Sequence, residues 1–162
     1  MPKESGEINA LAIGDRAPDV DLPRGGGGSV NLSSLRGKGF VLYFYPKDDT
    51  PGCTKEAIAF TEKEEAFKAL GFEIFGVSKD PVTKHERFAA KHNLGITLLS
   101  DAEGDVCERF GVWVEKSMYG KKYMGIERAT FLVDGKGAIR AIWRKVKVPG
   151  HAEAVLKEAE AL

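Results

Sequence analysis

The run Phe40-Val41-Leu42-Tyr43-Phe44-Tyr45 has no polar interruption, which predicts a strand buried on both faces. Phe72-Glu73-Ile74-Phe75-Gly76-Val77 and Ile96-Thr97-Leu98-Leu99 carry weaker forms of the same signal. Between the first two, residues 50–70 are rich in Glu, Lys and Ala, with no breaker after Gly52. They read as one helix stopped at Gly71. Residues 81–93 predict a second helix, with Pro81 suited to its first turn, and residues 105–110 a short third one. Residues 130–133 and 138–143 flank Asp134-Gly135-Lys136-Gly137, the pattern of a hairpin. Residues 151–162 close the chain as an amphipathic helix with Val155, Leu156 and Ala159 on one side. The run Gly25-Gly26-Gly27-Gly28-Ser29 lacks the Gly-Lys-Ser/Thr ending of a phosphate-binding loop. It leads into strand-like Val30-Asn31-Leu32 and reads as a flexible hairpin tip.

Strand–helix–strand–helix–strand, then a hairpin, then a helix, is the order of an α/β sandwich with a mixed sheet. Sites in such sheets form beyond the carboxyl ends of the strands, where helices begin. At 162 residues the chain is expected to form a single domain, 1–162, with residues 1–11 a flexible lead-in. Lys+Arg and Asp+Glu balance at 24 each, which argues against a nucleic-acid binder. No apolar run reaches the roughly 20 residues of a membrane helix. The apolar patch Ala10-Leu11-Ala12-Ile13 is too short for a signal peptide, so the cytoplasm is the expected location. Two cysteines cannot staple a secreted fold, and in the cytoplasm both should be reduced at rest.

The junction after the buried strand reads Pro46-Lys47-Asp48-Asp49-Thr50-Pro51-Gly52-Cys53-Thr54. Thr50 suits a helix N-cap and Pro51 the first helical position. That register puts Cys53 in the first turn, among free N–H groups and the positive end of the helix dipole. Both favour thiolate over thiol, against the ordinary reading of a free cysteine as a small buried hydrophobe. The Thr50 hydroxyl, three positions away, can bond a group held at Cys53. Thr50-Pro51-Gly52-Cys53 has the frame of a Cys-x-x-Cys motif whose first cysteine is threonine, so a dithiol shuttle lacks its partner. His85, His92 and His151 are scattered, which disfavours a metal site.

The stretch from Tyr43 to Glu56 resembles the active-site segment of the peroxiredoxins, most closely the bacterioferritin comigratory protein or peroxiredoxin Q subfamily. Gly14-Asp15-Arg16-Ala17-Pro18-Asp19, Ser100-Asp101, Phe110-Gly111-Val112, residues 128–134 and Val148-Pro149-Gly150-His151-Ala152 extend the likeness in the same order. It covers the chain from about residue 12 to the end. The resemblance implies a thioredoxin-like fold, a central mixed sheet flanked by helices, and a peroxidase with no metal or organic cofactor. Carried onto these residues, Cys53 is the peroxidatic nucleophile that cycles through sulfenic acid. Pro46 shields the sulfur, Thr50 bonds the peroxide, and Arg128 stabilises thiolate and developing charge. Gly52 adds a backbone donor. Position alone would make Arg128 a solvated surface charge. Glu56, one turn beyond Cys53, is expected either to orient an arginine or to be an ordinary exposed helix glutamate. Arg144 and Lys145 are weaker candidates.

Relatives that carry a resolving cysteine have it five positions on, here Ile58, or near residues 88–90. Neither place holds a cysteine. Two readings of Cys107 stand: a buried structural thiol beside Val106 and Phe110, or a resolving cysteine within the chain or across a dimer. The expectation is a one-cysteine peroxidase reduced by an external thiol, either thioredoxin or glutathione with glutaredoxin. A monomer or weak homodimer is expected, with no nucleic-acid or membrane partner. The competing reading is a thioredoxin-fold binding or chaperone-like module, since fold alone does not fix function. A thiol–disulfide exchanger is a third.

Overall fold

Asp21–Pro23 (β1) and Ser29–Asn31 (β2) pair antiparallel around the glycine run, which is a hairpin tip as its composition predicts. In this computed structural model, which describes residues 11–35 and 37–162, the uninterrupted apolar run becomes Gly39–Phe44 (β3), buried along its whole length. Pro51–Glu62 (α1) and Glu64–Ala69 (α2) follow, then Phe72–Ser78 (β4), Val82–His92 (α3), Thr97–Ser100 (β5) and Val106–Arg109 (α4). Trp113–Met118 (β6) and Lys121–Ile126 (β7) form a hairpin of their own. Ala129–Val133 (β8), Ile139–Arg144 (β9) and His151–Glu160 (α5) complete the chain.

The main sheet has the order β5-β4-β3-β8-β9. β3, β4 and β5 run parallel, and β8 and β9 are antiparallel to their neighbours. This is a central mixed sheet flanked by helices. Side chains alternate across a strand, so β3 divides the interior into two cores. Phe40, Leu42 and Phe44 point into one, with Cys107, Phe110 and Phe131. Val41, Tyr43 and Tyr45 point into the other, which is covered by Cys53, Phe60, Phe67, Phe88 and Val155 from the helices. No helix among the described residues is long and apolar enough to cross a membrane.

Three sequence expectations need correction. The single helix expected over residues 50–70 is two, broken at Lys63 (φ −103°, ψ 4°). Ala57, Phe60, Glu64 and Phe67 would share one stripe of a continuous helix, which would carry the Glu64 carboxylate into the apolar core. The break leaves Glu64 half-buried and paired with Lys68 at 3.5 Å. The β6–β7 hairpin was not expected, because its strands are largely polar and exposed. Its turn signal is Tyr119-Gly120, both at positive φ (52° and 79°), as a two-residue hairpin turn requires. Pro81 is the N-cap of α3 rather than a residue of its first turn. The lead-in expected over residues 1–11 lies outside the described residues except for Leu11, which packs on the core.

Candidate active site

The register of the sheet brings the two ends of the site together. β3 ends at Phe44, opposite Ala129 at the start of β8. Arg128 is therefore delivered beside the carboxyl end of β3, where α1 begins. The Arg128 backbone is held there by Val146 N–H, which donates to its carbonyl at 3.0 Å. Cys53 is the third residue of α1 and only 1% exposed. The first bond of that helix turn is Thr54 N–H to Thr50 C=O at 2.8 Å, so the N–H groups of Gly52 and Cys53 precede the helical ladder.

One Arg128 guanidinium nitrogen, Nη2, donates to Cys53 Sγ at 3.4 Å, and Nη1 donates to Glu56 Oε1 at 2.6 Å. Their side chains are 16% and 1% exposed, respectively. A surface arginine is thus excluded, and so is an exposed helix glutamate. Burial pushes the Glu56 carboxyl up to about 7, against the pull of Arg128. Burial works against the Arg128 charge, but Glu56 and Cys53 outweigh it and hold its pKa above the ordinary value. Gly52 leaves room for this fork, since a Cβ there would sit 3.3 Å from Arg128 Nη2. Thr50 is the N-cap by position, yet its hydroxyl does not cap the helix. It donates to Lys47 C=O at 2.9 Å, leaving the oxygen lone pairs free to accept. Pro46 heads the loop and is exposed. Arg144 is exposed and lies over the Phe131 ring, and Lys145 is exposed, so neither joins the fork.

The loop between β3 and α1 is anchored by residues the sequence did not single out. Tyr45 OH donates to Asp48 Oδ1 at 2.6 Å, and His85 Nδ1 lies 2.6 Å from Asp48 Oδ2. His85 Nε2 donates to Leu99 C=O at 2.9 Å, because a carbonyl can only accept. The Asp48 N–H donates to Asp80 Oδ2 at 2.8 Å. The available signal was the position of His85 three residues before Phe88, on the inner stripe of α3. Asp49 takes a left-handed conformation (φ 61°) and pairs with Lys91 and His92 outside. His151, in the first turn of α5, has Nε2 2.7 Å from Thr130 Oγ1. Burial, helped by the Arg128 charge, lowers its pKa to about 4.

A family model described as the AhpC/TSA family matches residues 13–142. The chain belongs to the AhpC/TSA family of peroxiredoxins. The Peroxiredoxin Bcp of Bacillus subtilis is 50% identical over 147 residues, covering 91% of this chain and 94% of its own. The bacterioferritin comigratory protein of Xanthomonas campestris is similar in structure, with a TM-score of 0.84 at 44% identity, over 88% of this chain and 90% of that one. A PrxQ of Xylella fastidiosa gives a TM-score of 0.88 at 39% identity, over 93% and 96%. The fold is therefore the thioredoxin-like one of the peroxiredoxins. In this peroxiredoxin the second thiol stands apart from the first. Cys107 is fully buried on α4, in the core on the opposite face of the sheet from Cys53. Burial, reinforced by the Asp101 carboxylate, pushes its thiol pKa far upward. Asp101 also accepts the N–H of Val106 at 3.2 Å and of Cys107 at 2.8 Å.

Proposed function

We propose that this peroxiredoxin reduces hydrogen peroxide and organic hydroperoxides at Cys53 by a one-cysteine mechanism, with an external thiol as reductant. Support for organic substrates comes from the Xanthomonas campestris relative, which is described by its alkyl peroxide reduction activity. The peroxide O–H would donate to Thr50 Oγ1. The sulfur of Cys53, as thiolate, attacks the distal oxygen. An S–O bond forms as the O–O bond breaks, and sulfur is oxidised by two electrons to sulfenic acid. The leaving oxygen carries the negative charge away and takes up a proton to become alcohol or water. Arg128 Nη2 and the N–H groups of Gly52 and Cys53 are donors fixed where that charge moves. Pro46 would limit water at the mouth of the site. One external thiol then displaces water from the sulfenic acid, giving a mixed disulfide. A second releases the Cys53 thiol and leaves as disulfide. Thioredoxin, or glutathione with glutaredoxin, would supply these thiols.

The observation that carries the one-cysteine reading is the separation of the cysteines by the sheet. A disulfide needs Cα atoms about 4.4–6.8 Å apart, and the packed layer of β3 and its neighbours stands between the two cores. The test is intact mass after one equivalent of peroxide. Wild type and Cys107→Ala should each gain one oxygen, and Cys53→Ser none. Loss of two hydrogens, or a covalent dimer requiring both cysteines, would make Cys107 the resolving residue.

A further inference from the structure

At the amino end of β3, the end away from Cys53, three segments meet around a cavity of about 330 Å³. They are the residues before β1, the turn from β2 into β3, and the turn between β8 and β9. Backbone bonds tie their walls together. Gly37 N–H donates to Gly135 C=O at 3.1 Å, and Ala17 N–H donates to Gly137 C=O at 2.9 Å. Gly135 permits the first contact, since a Cβ there would lie 3.0 Å from the Gly37 carbonyl carbon. The cavity is therefore formed before any ligand arrives, and its volume is that of a small-molecule site.

Its floor and its walls differ in chemistry. Leu32, Leu35 and Phe40 supply an apolar floor. Leu32 and Phe40 belong to the core that contains Cys107, and Leu35 packs against it. Arg16, Lys38 and Lys136 line the same cavity, one from each segment, and all three are exposed. Among the described residues, no ion pair or side-chain hydrogen bond uses the Arg16 guanidinium or the Lys136 ammonium. Lys38 pairs with Glu73 at 3.6 Å, and Glu73 is not part of the lining. Asp134 is the one carboxylate of the lining, and its charge is spent within its own hairpin. Its Oδ1 accepts the N–H groups of Lys136 and Ala138, and its Oδ2 accepts from the Arg140 guanidinium at 3.2 Å. The chain as a whole carries no net charge, so this local excess of cations is not a by-product of a basic surface. Like charges gathered round one concavity with an apolar floor focus positive potential into it.

We propose that this cavity binds a small phosphate monoester, its phosphate held by Arg16 and Lys136 and its apolar body laid over Leu35 and Phe40. The planar guanidinium matches a phosphate with two parallel donors, and a dianion compensates two cations. A carboxylate would leave one of them uncompensated, and inorganic phosphate would leave the floor uncovered. The site is separate from Cys53 and does not rest on the peroxide chemistry proposed there.

The test is titration of the isotope-labelled protein with phenyl phosphate, followed by amide nuclear magnetic resonance shifts. The amides of Gly135, Lys136 and Gly137 should shift to saturation, and those around Cys53 should not move. Inorganic phosphate and benzoate should each bind about tenfold more weakly. Arg16→Gln and Lys136→Gln change exposed side chains that support no other contact, so the fold persists. Each should weaken phenyl phosphate about threefold to tenfold, and Lys136→Glu should weaken it further. Lys157→Gln, on α5, should change nothing. Leu35→Ser should reduce the preference for phenyl phosphate over inorganic phosphate. Equal affinity for phenyl and inorganic phosphate would mean unspecific attraction to surface cations and would overturn the proposal. So would the absence of a saturable shift at millimolar ligand, or binding that Arg16→Gln and Lys136→Gln leave intact.

Discussion

Arg128 spends its fork on two partners at once, Glu56 and the Cys53 sulfur. A lysine keeps the charge but not the fork. Arg128→Lys should therefore slow Cys53 oxidation by hydrogen peroxide about 100-fold, measured by rapid mixing, with far-ultraviolet circular dichroism unchanged. Glu56 has a second consequence. In the folded protein its carboxyl titrates near 7, against an ordinary value of 4.5. The folded state therefore keeps that proton to higher pH than the unfolded chain does, and unfolding releases it in this window. The Glu56 contribution to stability is full below 4.5 and is lost as pH rises to about 7. Urea titrations across that range should show a flatter pH dependence in Glu56→Gln than in wild type. Equal slopes would place the proton elsewhere.

The loop from β3 into α1 is held to α3 by two clamps of different worth. The inner one, Asp48 with His85 and Tyr45, is buried. Removing His85 leaves Asp48 Oδ2 without its buried partner, while Tyr45 OH still serves Oδ1, at a cost of about 1–3 kcal/mol. The outer one, Asp49 with Lys91 and His92, faces solvent, where ion pairs contribute little. His85→Ala should lower the urea midpoint sharply, whereas Asp49→Asn should leave it nearly unchanged. A similar loss in both would mean that the loop is fastened mainly from outside. Since α1 carries Cys53 in its first turn, His85→Ala should also slow peroxide reduction at temperatures where the fold persists.

Across the whole molecule, the sheet makes the two thiols inhabitants of separate cores. Cys107 then acts as a packing residue, and its replacements should differ by polarity alone. Cys107→Ser puts a hydroxyl into an apolar site and should be less stable than Cys107→Ala by about 1–2 kcal/mol. Thermal or urea unfolding of the two variants side by side measures this. Peroxide turnover with an external thiol should be the same in both. A selective loss of turnover in Cys107→Ala, with stability retained, would return a redox role to that residue.

How much of this was legible in the chain differs by kind of interaction. The order of strands and helices, the central buried strand and the helix start at Pro51 follow from local rules: apolar period, capping chemistry and glycine turns. Those rules act over a few neighbouring residues, so one sequence suffices to read them. Cys53 at a helix N-terminus was legible for the same reason. Arg128 was singled out by family resemblance alone, because nothing near it in the chain separates a buried guanidinium from a surface one. Its meeting with Glu56 and Cys53 depends on the antiparallel register of β8 on β3. The polar hairpin β6–β7 escaped notice because its strands are not sorted into a buried and an exposed face. The break at Lys63 depends on what the helix packs against. The placement of Cys107 behind the sheet is likewise a product of topology. Local sequence determined which elements form and which sulfur stands in the first turn of a helix. Tertiary structure alone decided which distant charges surround that sulfur and which thiol lies out of its reach, because those contacts join residues far apart in the chain.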